Sequence, residues 1–177
     1  MKKVLAIGAS NSKKSINKIF ANYIANQLTN VQVTQVDWDD IVLPLYSPDL
    51  EVEKGIPPQA QEFKDLIDSS DVIVLSLAEY NGMCTPAFKN LWDWTSRIDM
   101  KFWANKPMFL AATSPGKRGA QNALKVTKEL FPHFGGNTIV DFSLPSFFEN
   151  FSEDGITNED LQKTLTDKIA LFQKEIQ

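Results

Sequence analysis

The sequence predicts an α/β fold: a five-stranded, doubly wound parallel sheet covered by helices on both faces in three layers, with strand order 2-1-3-4-5. Three observations carry this. Apolar runs of strand length alternate with amphipathic stretches of helical period from one end of the 177 residues to the other. The runs Val4–Ile7 and Asp71–Leu77 are nearly continuous in apolar residues, as strands buried on both faces are. No repeat, low-complexity tract or linker interrupts the pattern, so residues 1–177 read as a single domain.

Each element has its own signal. Val4–Ile7 is the first strand, closed by Gly8, and Ile16, Phe20, Ile24 and Leu28 recur at near-helical spacing after it. Val31–Val36 alternates apolar and polar, as an edge strand with one wet side does. Residues 37–57, rich in Asp and Pro, read as a long surface connection, and Pro57 or Pro58 opens a second helix containing Phe63, Leu66 and Ile67. Asp71–Leu77 is the central third strand, followed by a helix over Thr85–Arg97. Pro107–Thr113 is the fourth strand, Ala120–Phe131 the fourth helix, and Asn137–Phe142 the fifth strand after Gly135-Gly136. Thr157–Glu175 forms the last helix, with Leu161, Leu165, Ile169 and Phe172 on one face.

Composition narrows the function. A net charge of −4 with no basic tract argues against a nucleic-acid footprint, and the four tryptophans lack interleaved Lys and Arg. One cysteine and one histidine exclude a disulfide framework and make a zinc site implausible. The apolar run before Gly8 is only four residues long, too short for a secretory leader, and no apolar run reaches membrane-spanning length. The expectation is a cytoplasmic protein with neither nucleic-acid nor membrane partners.

In a sheet of this order the ligand crevice lies past the strand ends, so the loops after strands one, three and four must carry any chemistry. The first runs Gly8-Ala9-Ser10-Asn11-Ser12-Lys13-Lys14-Ser15-Ile16-Asn17. Small hydroxylated residues before a helix suit an anion, because the free N–H groups and the dipole of the first turn favour one. Ser10, Ser12, Ser15 and Asn17 are candidate phosphate donors, with Ile16 in the same turn; the alternative is that Ser15 only caps the helix. A dinucleotide fingerprint needs glycine where Ser10 stands. The ATPase pattern fits Gly8, Lys14 and Ser15 but has Lys13 at its second glycine, which leaves it a minor alternative.

The loop after strand three reads Ala78-Glu79-Tyr80-Asn81-Gly82-Met83-Cys84-Thr85-Pro86-Ala87-Phe88-Lys89-Asn90-Leu91-Trp92-Asp93-Trp94, and that after strand four Thr113-Ser114-Pro115-Gly116-Lys117-Arg118-Gly119. These stretches resemble the NAD(P)H-dependent FMN reductase family. Its second loop runs like P-E-Y-N-G-S-x-x-P-x-x-K-N-x-x-D-W, matched at Glu79, Tyr80, Asn81, Gly82, Pro86, Lys89, Asn90, Asp93 and Trp94. Its third is like T-S-x-G-x-x-G, and its serine-rich first loop ends in S-x-N, here Ser15 and Asn17.

The resemblance implies a flavodoxin-like FMN-binding domain. It also implies ping-pong transfer of hydride from NADPH or NADH through the flavin to a quinone, azo compound, free flavin or metal oxyanion. No side chain is catalytic in that scheme, since the flavin carries the chemistry. The phosphate would take the first loop and the ring Glu79, Tyr80, Asn81 and Gly82. Thr113, Ser114, Gly116 and Gly119 would hold the pyrimidine side, and Lys117 or Arg118 would stabilise negative charge on the reduced ring. A homodimer or homotetramer is implied, with the helix bearing Trp92 and Trp94 as a candidate contact. The rival reading is a flavodoxin-type electron carrier without nicotinamide turnover. A third is a binding domain that has lost its flavin.

Three departures from the pattern stand out: no arginine in the phosphate loop, Ala78 where proline is usual, and Met83 where serine is usual. Cys84 and His133 are expected to be structural, Lys89 and Asn90 to support the loop, and Trp38 and Trp103 to shape a substrate entrance or an interface.

Overall fold

The computed structural model describes residues 1–177. In chain order the elements are β1 (Lys2–Ala9), α1 (Ile16–Asn26), β2 (Val31–Gln35), α2 (Pro48–Lys54), α3 (Pro58–Asp68) and β3 (Val72–Leu77). A short hairpin follows, β4 (Glu79–Tyr80) and β5 (Met83–Cys84), then α4 (Pro86–Ile98), β6 (Pro107–Thr113) and α5 (Gln121–Leu130). After a 3-10 turn at Phe131–Phe134 come β7 (Asn137–Leu144), α6 (Phe147–Asn150), a hairpin of β8 (Phe151–Ser152) and β9 (Gly155–Ile156), and α7 (Glu159–Glu175). The main sheet is parallel with order β2-β1-β3-β6-β7, the expected doubly wound, flavodoxin-like order 2-1-3-4-5 once the hairpin strands are set aside.

The two-residue period of the strands sorts the core into two layers. Leu5, Ile7, Ile73, Leu75 and Leu110 meet Phe63 and Ile67 of α3, Phe88, Leu91 and Trp92 of α4, and Leu124 of α5. Val4, Ala6, Val72, Val74 and Phe109 face the opposite way, onto Phe20 and Ile24 of α1 and Leu165 and Phe172 of α7. Helices α1, α3, α4, α5 and α7 are therefore held by their apolar faces, as their periodicity required.

Several expectations are corrected. Gly8 does not close the first strand but lies within it, opposite Ser76 of β3. A Cβ there would sit 2.4 Å from the Lys18 backbone, so glycine is what lets α1 lie this close to the sheet. The connection over 37–57 contains α2 and is stapled to α4: the Trp94 indole and the Asn90 amide both donate to the Pro44 carbonyl, at 2.8 and 2.9 Å. Arg97 pairs with Glu51 at 2.9 Å. Within the K-N-x-x-D-W stretch, then, Asn90 and Trp94 grip that connection, while Lys89 and Asp93 pair along the helix surface.

Trp103 is fully buried and so shapes neither an entrance nor an outer face, whereas Trp38, 7% exposed, presents one edge to a surface groove. Trp92 and Trp94 are also enclosed in the monomer, which removes them as the outward contact of their helix.

Candidate active site

All five sheet strands end on the same side, and three loops meet there. In the first, the Ser15 N–H donates to the Ser12 carbonyl at 3.0 Å and the Ser12 N–H to Ser10 Oγ at 3.2 Å, which folds the segment into a tight arc. Ser15 caps α1, its Oγ accepting from the Lys18 N–H at 3.2 Å. Ile16 and Asn17 fill the first turn, where backbone N–H groups lack intrahelical partners, and no acidic residue lies in that turn.

The Asn17 side chain does something else. It is buried and acts as a strut: its Nδ2 donates to the Thr113 carbonyl at 3.1 Å, and its Oδ1 accepts from Ser76 Oγ at 2.7 Å and from the Thr113 N–H at 3.2 Å. Thr113 Oγ1 then donates to the Leu144 carbonyl at 2.8 Å, so one chain of hydrogen bonds links α1, β3, β6 and β7. Asn17 thus offers an anion its backbone N–H, while its amide belongs to this interior network.

The second loop is a two-residue hairpin. Asn81 and Gly82 take φ of +53° and +86°, and positive φ at both central residues is what a type I′ turn requires. Gly82 is thus fixed by turn conformation, and an added Cβ would meet nothing nearer than 3.8 Å. Tyr80 stands at the tip, 48% exposed. Glu79 reaches away from the tip, its Oε2 accepting from the Ala123 N–H of α5 at 3.0 Å. At the base, Thr85 Oγ1 donates to the Ala9 carbonyl at 3.0 Å, tying the hairpin to the end of β1. Burial pushes the Cys84 thiol up, only partly opposed by Lys89, so no reactive thiolate lies here.

The third loop is anchored from the fifth strand. Ser143 Oγ donates to the Gly119 carbonyl at 2.8 Å, and the Ser146 and Phe147 N–H groups donate to the Gly116 and Ser114 carbonyls at 2.9 and 3.0 Å. Gly119 has φ +57° and no space for a side chain, since a Cβ would lie 2.4 Å from Ser143 Oγ. Lys117 and Arg118 are exposed, and neither they nor Lys13 and Lys14 have a carboxylate within ion-pair distance.

These loops enclose a cleft of about 210 Å³. It gathers Ser10, Ser12, Ser15, Ile16 and Asn17 from the first loop, Glu79 and Tyr80 from the hairpin, and Thr113 and Ser114 from the third. Asn81, Gly82, Gly116, Lys117 and Gly119 do not line it; they shape the turns around it. Two further residues join the lining set, Lys14, set aside above with the ATPase pattern, and Phe148, which sequence reasoning missed. Lys14 lines the cleft, and so does Phe148 of α6, a ring 72% exposed at its mouth. A segment after the fifth strand therefore joins the site, and the adjacent Phe147-Phe148 after Leu144-Pro145-Ser146 was the available signal.

A larger apolar groove of about 490 Å³ lies between residues 38–45 and the start of α4, without a comparable set of anion donors. His133 lies in the 3-10 turn leading into β7, at the end of the sheet opposite the cleft, and no group of His, Cys, Asp and Glu side chains could hold a metal.

The chain is similar to known oxidoreductases. It is 28% identical over 178 residues to an NAD(P)H:quinone oxidoreductase of Solanum tuberosum, covering 92% of this chain and 87% of that one. Over 89 residues it is 36% identical to an NADPH:quinone oxidoreductase of Arabidopsis thaliana, a stretch of half this chain and 45% of that protein. Among solved structures, the flavoenzyme NAD(P)H:(acceptor) oxidoreductase FerB of Paracoccus denitrificans superposes with a TM-score of 0.77 at 27% identity, covering 99% of this chain and 97% of that one. Residues 2–149 match the family model described as NADPH-dependent FMN reductase, and the chain belongs to that family.

Proposed function

We propose that this chain is an FMN-dependent NAD(P)H oxidoreductase whose physiological acceptor is a small flat molecule of the quinone type. One observation supports the reading above the others. A single cleft joins an anion-ready end, made of Ser10, Ser12, Lys14 and the open first turn of α1, to a mouth bearing two exposed rings, Tyr80 and Phe148. A phosphate on a planar aromatic ligand matches that division.

The residues fit FMN. Ser10, Ser12, Lys14 and the Ile16 and Asn17 N–H groups would hold its phosphate, and Tyr80, the Asn81-Gly82 turn and Ser114 would border its ring. Glu79, the one carboxylate lining the cleft, has an oxygen committed to α5 and leaves the phosphate end without opposing charge. When bound, FMN supplies the two-electron chemistry that no side chain here provides. The protein's part is placement: Asn17 and Thr85 fix the loops against the strand ends, and Lys117 and Arg118 bring unpaired positive charge to the third loop. Lys14 takes the role often filled by arginine, without the two-pronged geometry.

The cleft is open at its mouth, which suits a nicotinamide and an acceptor occupying it in turn. Homodimer or homotetramer formation and a cytoplasmic setting belong to the same proposal, the first supported by Val42 and Leu45, which stand 74% and 81% exposed beside the apolar groove. The carrier reading is not favoured, since the matched family and the sequence relatives named above are reductases. Steady-state rates with NADPH and NADH against a benzoquinone, an azo dye and free flavin test the proposal. The benzoquinone is expected to give the highest kcat/KM, with parallel double-reciprocal lines. Intersecting lines, or turnover with none of the three, would contradict it.

A further inference from the structure

Glu79 stands where the family pattern places an acidic residue, but its geometry gives it a task that needs no ligand. The N-cap position of α5 is Ala120, which has φ +61° and no side-chain oxygen with which to cap the helix. The N–H of Ala123, third in the helix, is the one a capping side chain normally satisfies. Here the acceptor comes from 44 residues earlier, Glu79 Oε2 at 3.0 Å. A carboxylate at that place also suits the positive end of the helix dipole.

The two helices that follow the phosphate loop and the third loop are therefore finished differently. The α1 terminus has only the Ser15 hydroxyl and remains open to an anion, whereas the α5 terminus already holds a negative charge. The bond also couples two walls of the cleft from the side. Glu79 belongs to the hairpin that carries Tyr80, and α5 grows directly from the loop that carries Ser114 and Gly119. That loop is tied to the fifth strand by Ser143 and to itself by the Gly119 N–H donating to Gly116 at 3.1 Å, so its position follows the first turn of α5.

We infer that Glu79 is a positioning residue. By capping α5 from the hairpin it sets the spacing between the hairpin wall and the third-loop wall, and through that spacing the affinity for FMN. The inference rests on the proposed FMN-binding function. Reach to the Ala123 N–H is what matters, with the charge secondary.

Three variants separate reach from charge. Glu79→Gln keeps the length and an acceptor oxygen but loses the charge; Glu79→Asp keeps the charge but is one methylene short; Glu79→Ala keeps neither. FMN affinity is read by fluorescence quenching, and hydrogen exchange of the Ala123 amide is read in the flavin-free protein. Loss of a charge-assisted bond is expected to weaken FMN binding about tenfold or more in Glu79→Ala, with faster exchange at Ala123. Glu79→Gln should stay within about threefold of wild type, because a neutral hydrogen bond replaces the charged one. Glu79→Asp should fall between Gln and Ala.

Affinity that follows charge, with Glu79→Asp binding better than Glu79→Gln, would overturn the inference and mark a direct electrostatic contact. So would wild-type affinity in Glu79→Ala. The two conservative variants decide the matter even if Glu79→Ala does not fold. Wild-type protein that binds no FMN would remove the functional reading beneath the inference, whereas Ala123 exchange reports the cap independently of it.

Discussion

Asn17→Ala breaks the buried junction of α1, β3 and β6. Asn17 is 2% exposed and makes three hydrogen bonds, to the Ser76 hydroxyl, the Thr113 N–H and the Thr113 carbonyl. Truncation leaves those three groups without their partner in a region closed to solvent. Each buried polar group left unsatisfied costs about 1–3 kcal/mol. The Ser76 hydroxyl can rotate, and the space vacated admits water, so the lower half of the sum applies and the expected loss is about 3–5 kcal/mol. For a chain of this size that lowers Tm by roughly 6–20 °C, at about 2–4 °C per kcal/mol. Urea unfolding followed by far-UV circular dichroism reads it directly, with the midpoint falling and the slope unchanged.

Asn17→Asp sharpens the test. The carboxylate keeps the acceptor for Ser76 and the Thr113 N–H but turns an oxygen toward the Thr113 carbonyl, which burial and repulsion penalise. Its folded-state pKa should therefore rise above the usual value of about 3.9. A raised pKa means relative stability that is present in acid and lost as pH climbs through the folded-state value, so the deficit of this variant should shrink at low pH. A loss below about 1 kcal/mol in Asn17→Ala, or a deficit of Asn17→Asp that deepens in acid, would refute the strut.

Gly119→Ala demands a side chain at φ +57° and 2.4 Å from Ser143 Oγ, with Leu144 backbone at 2.9 Å. The third loop must shift, so thermal melting should show a loss of about 1–3 kcal/mol and FMN titration a weakened site. Cys84 is buried and its thiol is pushed up, so alkylation by iodoacetamide should be slow in the native chain and accelerate only as urea unfolds it. Labelling at the rate of a free thiol would contradict that burial.

The sheet was legible in the sequence because strands buried on both faces leave little room for polar residues, and Asp71–Leu77 and Pro107–Thr113 announce themselves. The loops that build the cleft were legible through their order at the strand ends. The hairpin was not recognised, although Asn81-Gly82 is the strongest short signal for one; two-residue strands are too brief to show a period. The task of the Asn17 side chain was out of reach, since its partners lie 59 and 96 residues away and only the fold brings them together. Trp38 and Trp103 read as surface residues because they fall between elements. Yet Trp38 donates its indole N–H to the Gly8 carbonyl, and Trp103 packs against Phe63 and Phe131. Phe148 escaped because the rule for this sheet order directs attention to the loops after strands one, three and four, whereas Phe148 follows the fifth.

Function rests on a cleft that holds FMN and admits a reduced nicotinamide. That is tested most directly by adding FMN to the purified protein, removing the excess, recording the visible spectrum, and then adding NADPH or NADH without oxygen. The flavin band is expected to stay with the protein and to bleach rapidly in one two-electron step. Protein that emerges colourless, or retained flavin that neither nicotinamide bleaches, would contradict it.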